Sequence, residues 1–138
     1  MMQIRIGNEE DKRYIFQIRP QAAPLFSDKG YFIVAEEDGI LGCAAVFYRK
    51  IPAPVQADEA FINLVEVFDQ SNWQKGIATL MVQKVLQIEK EKGRYQVRAY
   101  CDIRNVASHR LWLKNKFGIS PVKEPDGSIP GSFVTYVL

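Results

Sequence analysis

The chain has 138 residues, 47% of them hydrophobic and 25% charged, which suits one buried core and is too short for two. No window holds the ~18 apolar residues of a membrane helix, and the opening MMQIRIGNEEDKRY lacks the apolar core and cleavage site of a signal peptide; a cytoplasmic protein off the membrane, one domain over residues 1–138, is expected. Cys43 and Cys101 have no second Cys or His at ligand spacing, which argues against a disulfide framework and against a metal site.

The formal charge of +2 is unevenly divided. Residues 1–69 carry 7 Lys/Arg against 11 Asp/Glu, whereas residues 70–138 carry 11 against 5. An anionic partner is therefore expected on the second half. Nucleic acid is not, because the basic residues in KVLQIEKEKGRYQVR and RNVASHRLWLKNK form no uninterrupted run and no nucleic-acid-binding motif is present. A small phosphorylated ligand fits better. The acidic residues of the first half, Glu36, Glu37, Asp38, Asp58 and Glu59, read either as solvated loops or as attraction for a cationic amine.

In chain order, MQIRI alternates like a strand, and NEEDKRYIFQI reads as a helix capped by Asn8 with Glu9, Glu10 and Asp11 in its first turn. Pro20 and Pro24 break it. YFIVAEED and ILGCAAVFYRK flank Asp38 and Gly39, a strong hairpin signal. IPAPVQAD is a loop, since Pro52 and Pro54 do not share a central strand. EAFINLVEVF, residues 59–68, is apolar through its centre, as a strand buried on both faces is. From Gly76 to Lys92, Ile77, Leu80, Met81, Val85 and Ile88 recur at helical spacing, and Gly93 ends the helix. YQVRAYCDI is another strand. Asn105 can cap a helix through VASHRLWLKNKF to Gly118, and the tail reads as two strands around a turn at Asp126 and Gly127. The order predicts a mixed α/β fold with about seven strands.

The junction SNWQKGIATLM between strand and helix is chemically suggestive. A helix N-terminus exposes N–H groups without intrahelical partners and the positive end of the dipole, and a glycine there lets a ligand approach the backbone. The residues alone read either as a plain turn or as a phosphate cradle.

The whole arrangement resembles the GCN5-related N-acetyltransferases (GNAT family). WQKGIATLM is similar to that family's Q/R-x-x-G-x-G/A loop, INLVEV to its fourth strand, and NVASHRLWLKNKF to its N-x-x-S-x-x-L-Y-x-K-x-G-F segment, with Asn105, Ser108, Leu111, Lys114 and Phe117 at matching offsets. The resemblance implies a central, mostly antiparallel sheet flanked by helices, and acetyl-CoA as co-substrate wedged between the fourth and fifth strands. The pyrophosphate would sit on Gln74, Lys75, Gly76, Ile77, Ala78 and Thr79. The strand end at Val67 and Phe68, with Asn105 and Ser108, would hold the rest. The implied activity is transfer of an acetyl group to a primary amine of a small molecule or peptide by direct attack in a ternary complex. A homodimer is compatible with it.

The sequence departs from the family pattern at four places. Trp73 stands at the Q/R position with Gln74 one place late, and Lys116 replaces the usual glycine. Trp112 occupies the position of the tyrosine that often protonates the CoA thiolate, and an indole N–H is too weak an acid for that. Asn63 occupies the position of the usual carboxylate base. Glu66 and, at the strand's start, Glu59 are the carboxylates available; Glu66 is the candidate base if a strand bulge turns it to the cleft, and equally reads as an ion-pair partner. His109 reads as a solvated residue and a minor base candidate. Tyr95, Tyr100 and Tyr136 read as strand residues, one of which can replace the missing phenol. With catalysts absent from two positions, the alternative is a non-catalytic acyl-CoA-binding or regulatory module on the same fold.

Overall fold

The computed structural model describes residues 1–138. Its elements run β1 (Gln3–Ile6), α1 (Glu9–Ile18), β2 (Gly30–Glu36), β3 (Ile40–Lys50), β4 (Asp58–Val67), α2 (Ile77–Glu91), β5 (Gln96–Asp102), α3 (Val106–Lys114), β6 (Gly118–Val122) and β7 (Gly131–Val137), with short 3-10 turns at Pro20–Leu25 and Gln70–Asn72. The seven strands form one sheet in the order β1-β2-β3-β4-β5-β7-β6. Every pairing is antiparallel except β4 with β5.

Local chemistry sets the ends. Asn8 accepts the Asp11 N–H at 3.0 Å and Asp11 accepts the Asn8 N–H at 2.8 Å, a reciprocal cap that starts α1. Arg5 grips the Asp11 carboxylate at 2.7 and 3.0 Å and holds it below the usual carboxylate range. The β2–β3 turn puts Asp38 and Gly39 at φ 54° and 121°, as the Asp-Gly pair predicts.

The sheet is buried from both sides. Ala60, Ile62, Val97, Ala99 and Cys101 lie in one layer under Ile77, Met81, Val82 and Val85 of α2 and Trp112 of α3. Phe32, Val34, Cys43 and Ala45 lie in the other under Ile15 of α1. This double cover is why β4 is apolar in its middle.

Two details differ from the helical spacing read in the sequence. Leu80 is 42% exposed, and the buried stripe of α2 instead takes in Val82 and Glu89. Glu89 is fully buried because the Tyr31 and Tyr48 hydroxyls donate to its Oε2 at 2.5 and 3.0 Å, while Arg94 lies 3.7 Å from Oε1. A carboxylate can be buried where donors and a cation meet it.

The second difference is the end of α3, which stops at Lys114 instead of running to Gly118. Lys116 takes φ 66°. Its N–H donates to the Leu113 carbonyl at 3.0 Å and the Phe117 N–H to the Trp112 carbonyl at 3.0 Å. The Trp112 and Phe117 rings close the motif at 4.9 Å. This is the Schellman termination, in which glycine is the ordinary occupant of the left-handed position. Lys116→Gly is therefore expected to stabilise the protein by about 0.5–1 kcal/mol, the relieved left-handed strain outweighing the added unfolded-state entropy. Thermal denaturation should show a rise of roughly 2–4 °C.

Candidate active site

β4 and β5 are hydrogen-bonding neighbours only from Glu59↔Gln96 to Ile62↔Ala99, although β4 runs on to Val67 and β5 to Asp102. Beyond Ile62 the two strands splay and leave a cleft through the sheet. The cause lies on the other side of β4. β3 matches Val46 to Ile62 and Ala45 to Leu64, so Asn63 is an extra residue, a β-bulge. Its Nδ2 donates to the Leu25 carbonyl at 3.2 Å, tying it to the Pro20–Leu25 turn. The bulge also resets the side-chain alternation. Ile62 faces α2, whereas Leu64 packs with the α1 layer, and Glu66 follows Leu64 to that face.

Glu66 there meets Arg19, whose Nε donates to its Oε2 at 2.5 Å. Arg19 also donates to the Phe68 carbonyl at 2.9 Å and stacks over the Phe68 ring at 5.4 Å. The ion pair read as one alternative for Glu66 is thus present, and it leaves Oε1 without a protein donor. Arg19 carries no sequence signal beyond lying at the end of α1 ahead of Pro20. On β3, opposite Glu66, burial and secondarily the Glu66 charge push the Cys43 thiol up to about 12, so it is chemically inert.

At the cleft's other mouth the loop after β4 enters α2 through Gly76 at φ 79°, with no side chain capping the helix. None of the backbone N–H groups from Gln74 to Thr79 donates to another protein group. Six consecutive free donors at the positive end of a helix are an arrangement that can accept an anion. A Cβ on Gly76 would touch nothing within 4 Å, so it is the left-handed backbone that calls for glycine, and the space outside it is open. Gln74 also has a positive φ, 63°. Trp73 accounts for the altered loop, for its indole N–H donates to the Val67 carbonyl at 2.9 Å and ties the loop to the end of β4. The Val67 carbonyl is thereby used, as are the Phe68 N–H, given to the Leu41 carbonyl at 2.9 Å, and the Phe68 carbonyl.

The remaining residues singled out in the sequence lie on or beside α3. Asn105 caps the helix by accepting the Ser108 N–H at 3.0 Å, and the Ser108 hydroxyl accepts the Trp112 indole N–H at 2.9 Å. Trp112 is 3% exposed, so its one donor is spent in the core and is not offered to the cleft. His109 is half-buried rather than solvated, its Nδ1 3.2 Å from Cys101 Sγ and 3.1 Å from the Asn105 carbonyl. Of the three tyrosines, Tyr136 packs on Phe117 and Tyr95 lies before β5, while Tyr100 stands on the splayed part of β5. The acidic residues of the first half form no patch at the cleft. Glu36 pairs with Arg5, Glu59 with Arg49 and Asp58 with Arg94. No group of three or more His, Cys, Asp or Glu is placed to hold a metal, and no helix is long and apolar enough to cross a membrane.

The sheet thus opens between its one parallel pair, and the run of free N–H groups lies at one mouth of that opening. A family model described as the acetyltransferase (GNAT) domain matches residues 5–118. The chain belongs to the GNAT family. Solved structures of the same fold include Arabidopsis thaliana NAA60 in complex with acetyl-CoA, at 13% identity and TM-score 0.76, covering 100% of both chains. Others are yncA from Salmonella typhimurium with its cofactor acetyl-CoA, at 18% identity and TM-score 0.74, covering 100% of this chain and 94% of that one, and the ribosomal-protein-S18-alanine N-acetyltransferase of Escherichia coli, at 12% and 0.74, covering 99% and 94%. A sequence comparison with curated proteins found no match. The GNAT chain thus shares its sheet and helices with acetyl-CoA-bound structures whose sequences have diverged widely from it.

Proposed function

We propose that the protein is an acetyl-CoA-dependent N-acetyltransferase acting on a primary amine of a small molecule or peptide. The observation that carries this is the run of free N–H groups from Gln74 to Thr79 at one mouth of the cleft beyond Ile62 and Ala99. The pyrophosphate accepts those donors, and Lys75 adds a positive charge beside them. Pantetheine lies along the unpaired edge of β4, directing the thioester to the bulge. The face toward α2 is filled by core, so the amine approaches from the face of Asn63 and Glu66 and attacks the carbonyl directly.

Glu66 receives the amine proton on its free oxygen, directly or through water, with Arg19 fixing its position. Asn63 places its amide oxygen at the same mouth, with no protein donor on it, to orient the amine. The CoA thiolate leaves without a tryptophan acid; its pKa resembles that of Cys, about 8.5, so it departs near neutral pH with little help.

The spent Trp112 N–H favours a second reading, an acyl-CoA-binding module without turnover. Two measurements test the pair. A thermal melt in millimolar acetyl-CoA should shift upward, since a ligand at a hundred times its Kd adds about 2.7 kcal/mol to the native state. No shift, with no heat of binding in calorimetry, removes both readings. Release of free CoA thiol with a panel of amines then separates them, since the binding module releases none.

A further inference from the structure

We infer that Arg98 recognises a carboxylate on the acceptor, so that the acceptor class is an amino acid or a peptide carrying a carboxylate close to its reacting amine. This rests on the acetyltransfer reading above. Val97, Ala99 and Cys101 of β5 are buried under α2, so the alternation turns Arg98 and Tyr100 to the other face, the one from which the amine approaches. Arg98 pairs with Phe61 in the register, one step before the last matched pair Ile62↔Ala99. It therefore stands at the lip of the cleft, one strand across from the bulge at Asn63, on the face of Glu66.

Its environment holds no anion. The guanidinium carbon lies 4.2 Å from the centre of the Phe133 ring, and Phe133 in turn meets Tyr100 at 5.5 Å. Arg98 Nε is buried and has no hydrogen-bond partner, and no carboxylate lies within ion-pair distance of the side chain. The two acidic groups nearest along the strands are already engaged. Glu59 accepts from Arg49 and Gln96, both at 2.6 Å, and Asp102 pairs with Arg104. Apart from the Phe133 ring the guanidinium has no partner, and its Nε has lost water without gaining a hydrogen bond in return. The aromatic ring fixes the plane of the guanidinium, and its two terminal nitrogens, which donate to no protein group, form the edge through which arginine takes a carboxylate by two parallel bonds. Glu66 then meets the ammonium end of the same acceptor, and the two opposite charges orient it with the nitrogen toward the thioester.

The test uses alanine, methionine and phenylalanine against their C-terminal amides as acceptors, with CoA thiol release as readout. The carboxylates should be preferred in kcat/KM by about 10- to 100-fold, the value of a hydrogen-bonded charge. Arg98→Gln should abolish that preference by lowering kcat/KM for the acids far more than for the amides, and Arg98→Lys should restore it only in part. Equal use of acids and amides by the wild type, or an equal loss for both in Arg98→Gln, would assign Arg98 to packing on Phe133 and overturn the inference. Calorimetry with N-acetylmethionine and its amide, in the presence of CoA, covers an enzyme that turns over nothing on the panel. Arg98-dependent binding of the acid would then uphold the carboxylate site and sink only the transfer reading, and no such binding would sink the site as well.

Discussion

Gly76→Asp is expected to lower acetyl-CoA affinity by more than about a hundredfold, because it places a like charge where the pyrophosphate must sit, at the end of a helix whose dipole favours anions. The fold should survive. A side chain at Gly76 meets nothing within 4 Å, so the structural cost is that of φ 79° in a residue with a Cβ, about 1–2 kcal/mol. Gly76→Ala carries the same backbone cost without the charge and should bind more weakly than the wild type, by much less than the aspartate variant. Calorimetric titration of both, each checked by circular dichroism, separates charge from conformation. Normal binding by Gly76→Asp would return the loop to the status of a turn.

The hairpin at Asp38 and Gly39, the caps at Asn8 and Asn105 and the order of strands and helices are legible from the chain because each depends on neighbours in sequence. The strand-to-helix junction at Gly76 was legible in position but not in cause. Gly76 answers to a left-handed backbone, and the tether that sets the loop, Trp73 to the Val67 carbonyl, joins residues whose meeting depends on the path between them. The bulge is harder still. Nothing in INLVEV marks Asn63 as the residue without a partner, since the mismatch is a property of two strands and the Leu25 carbonyl comes from a third segment. The burial of Glu89 is invisible for the same reason, its partners lying on β2, β3 and the start of the segment before β5. Periodicity assigns a charged residue to the outside, and only tertiary donors reverse it.

Glu66→Gln should reduce kcat by 10²- to 10⁴-fold, the usual range for a lost general base, with acetyl-CoA affinity unchanged. The substitution keeps the shape of the side chain and removes its basicity. Glu66 and Arg19 are each a little under a third exposed, at 28% and 29%, so water screens the broken pair and the loss of stability should stay near about 1 kcal/mol. Arg19→Gln supplies the contrast. It breaks the same ion pair while leaving the carboxylate, so a purely structural pair predicts that the two variants lose stability alike and turn over alike. If Glu66 is the base, Arg19→Gln keeps far more turnover than Glu66→Gln. Equal kcat in both variants, close to that of the wild type, would leave Glu66 as an anchor for the end of α1 and shift the proton to water held at Asn63.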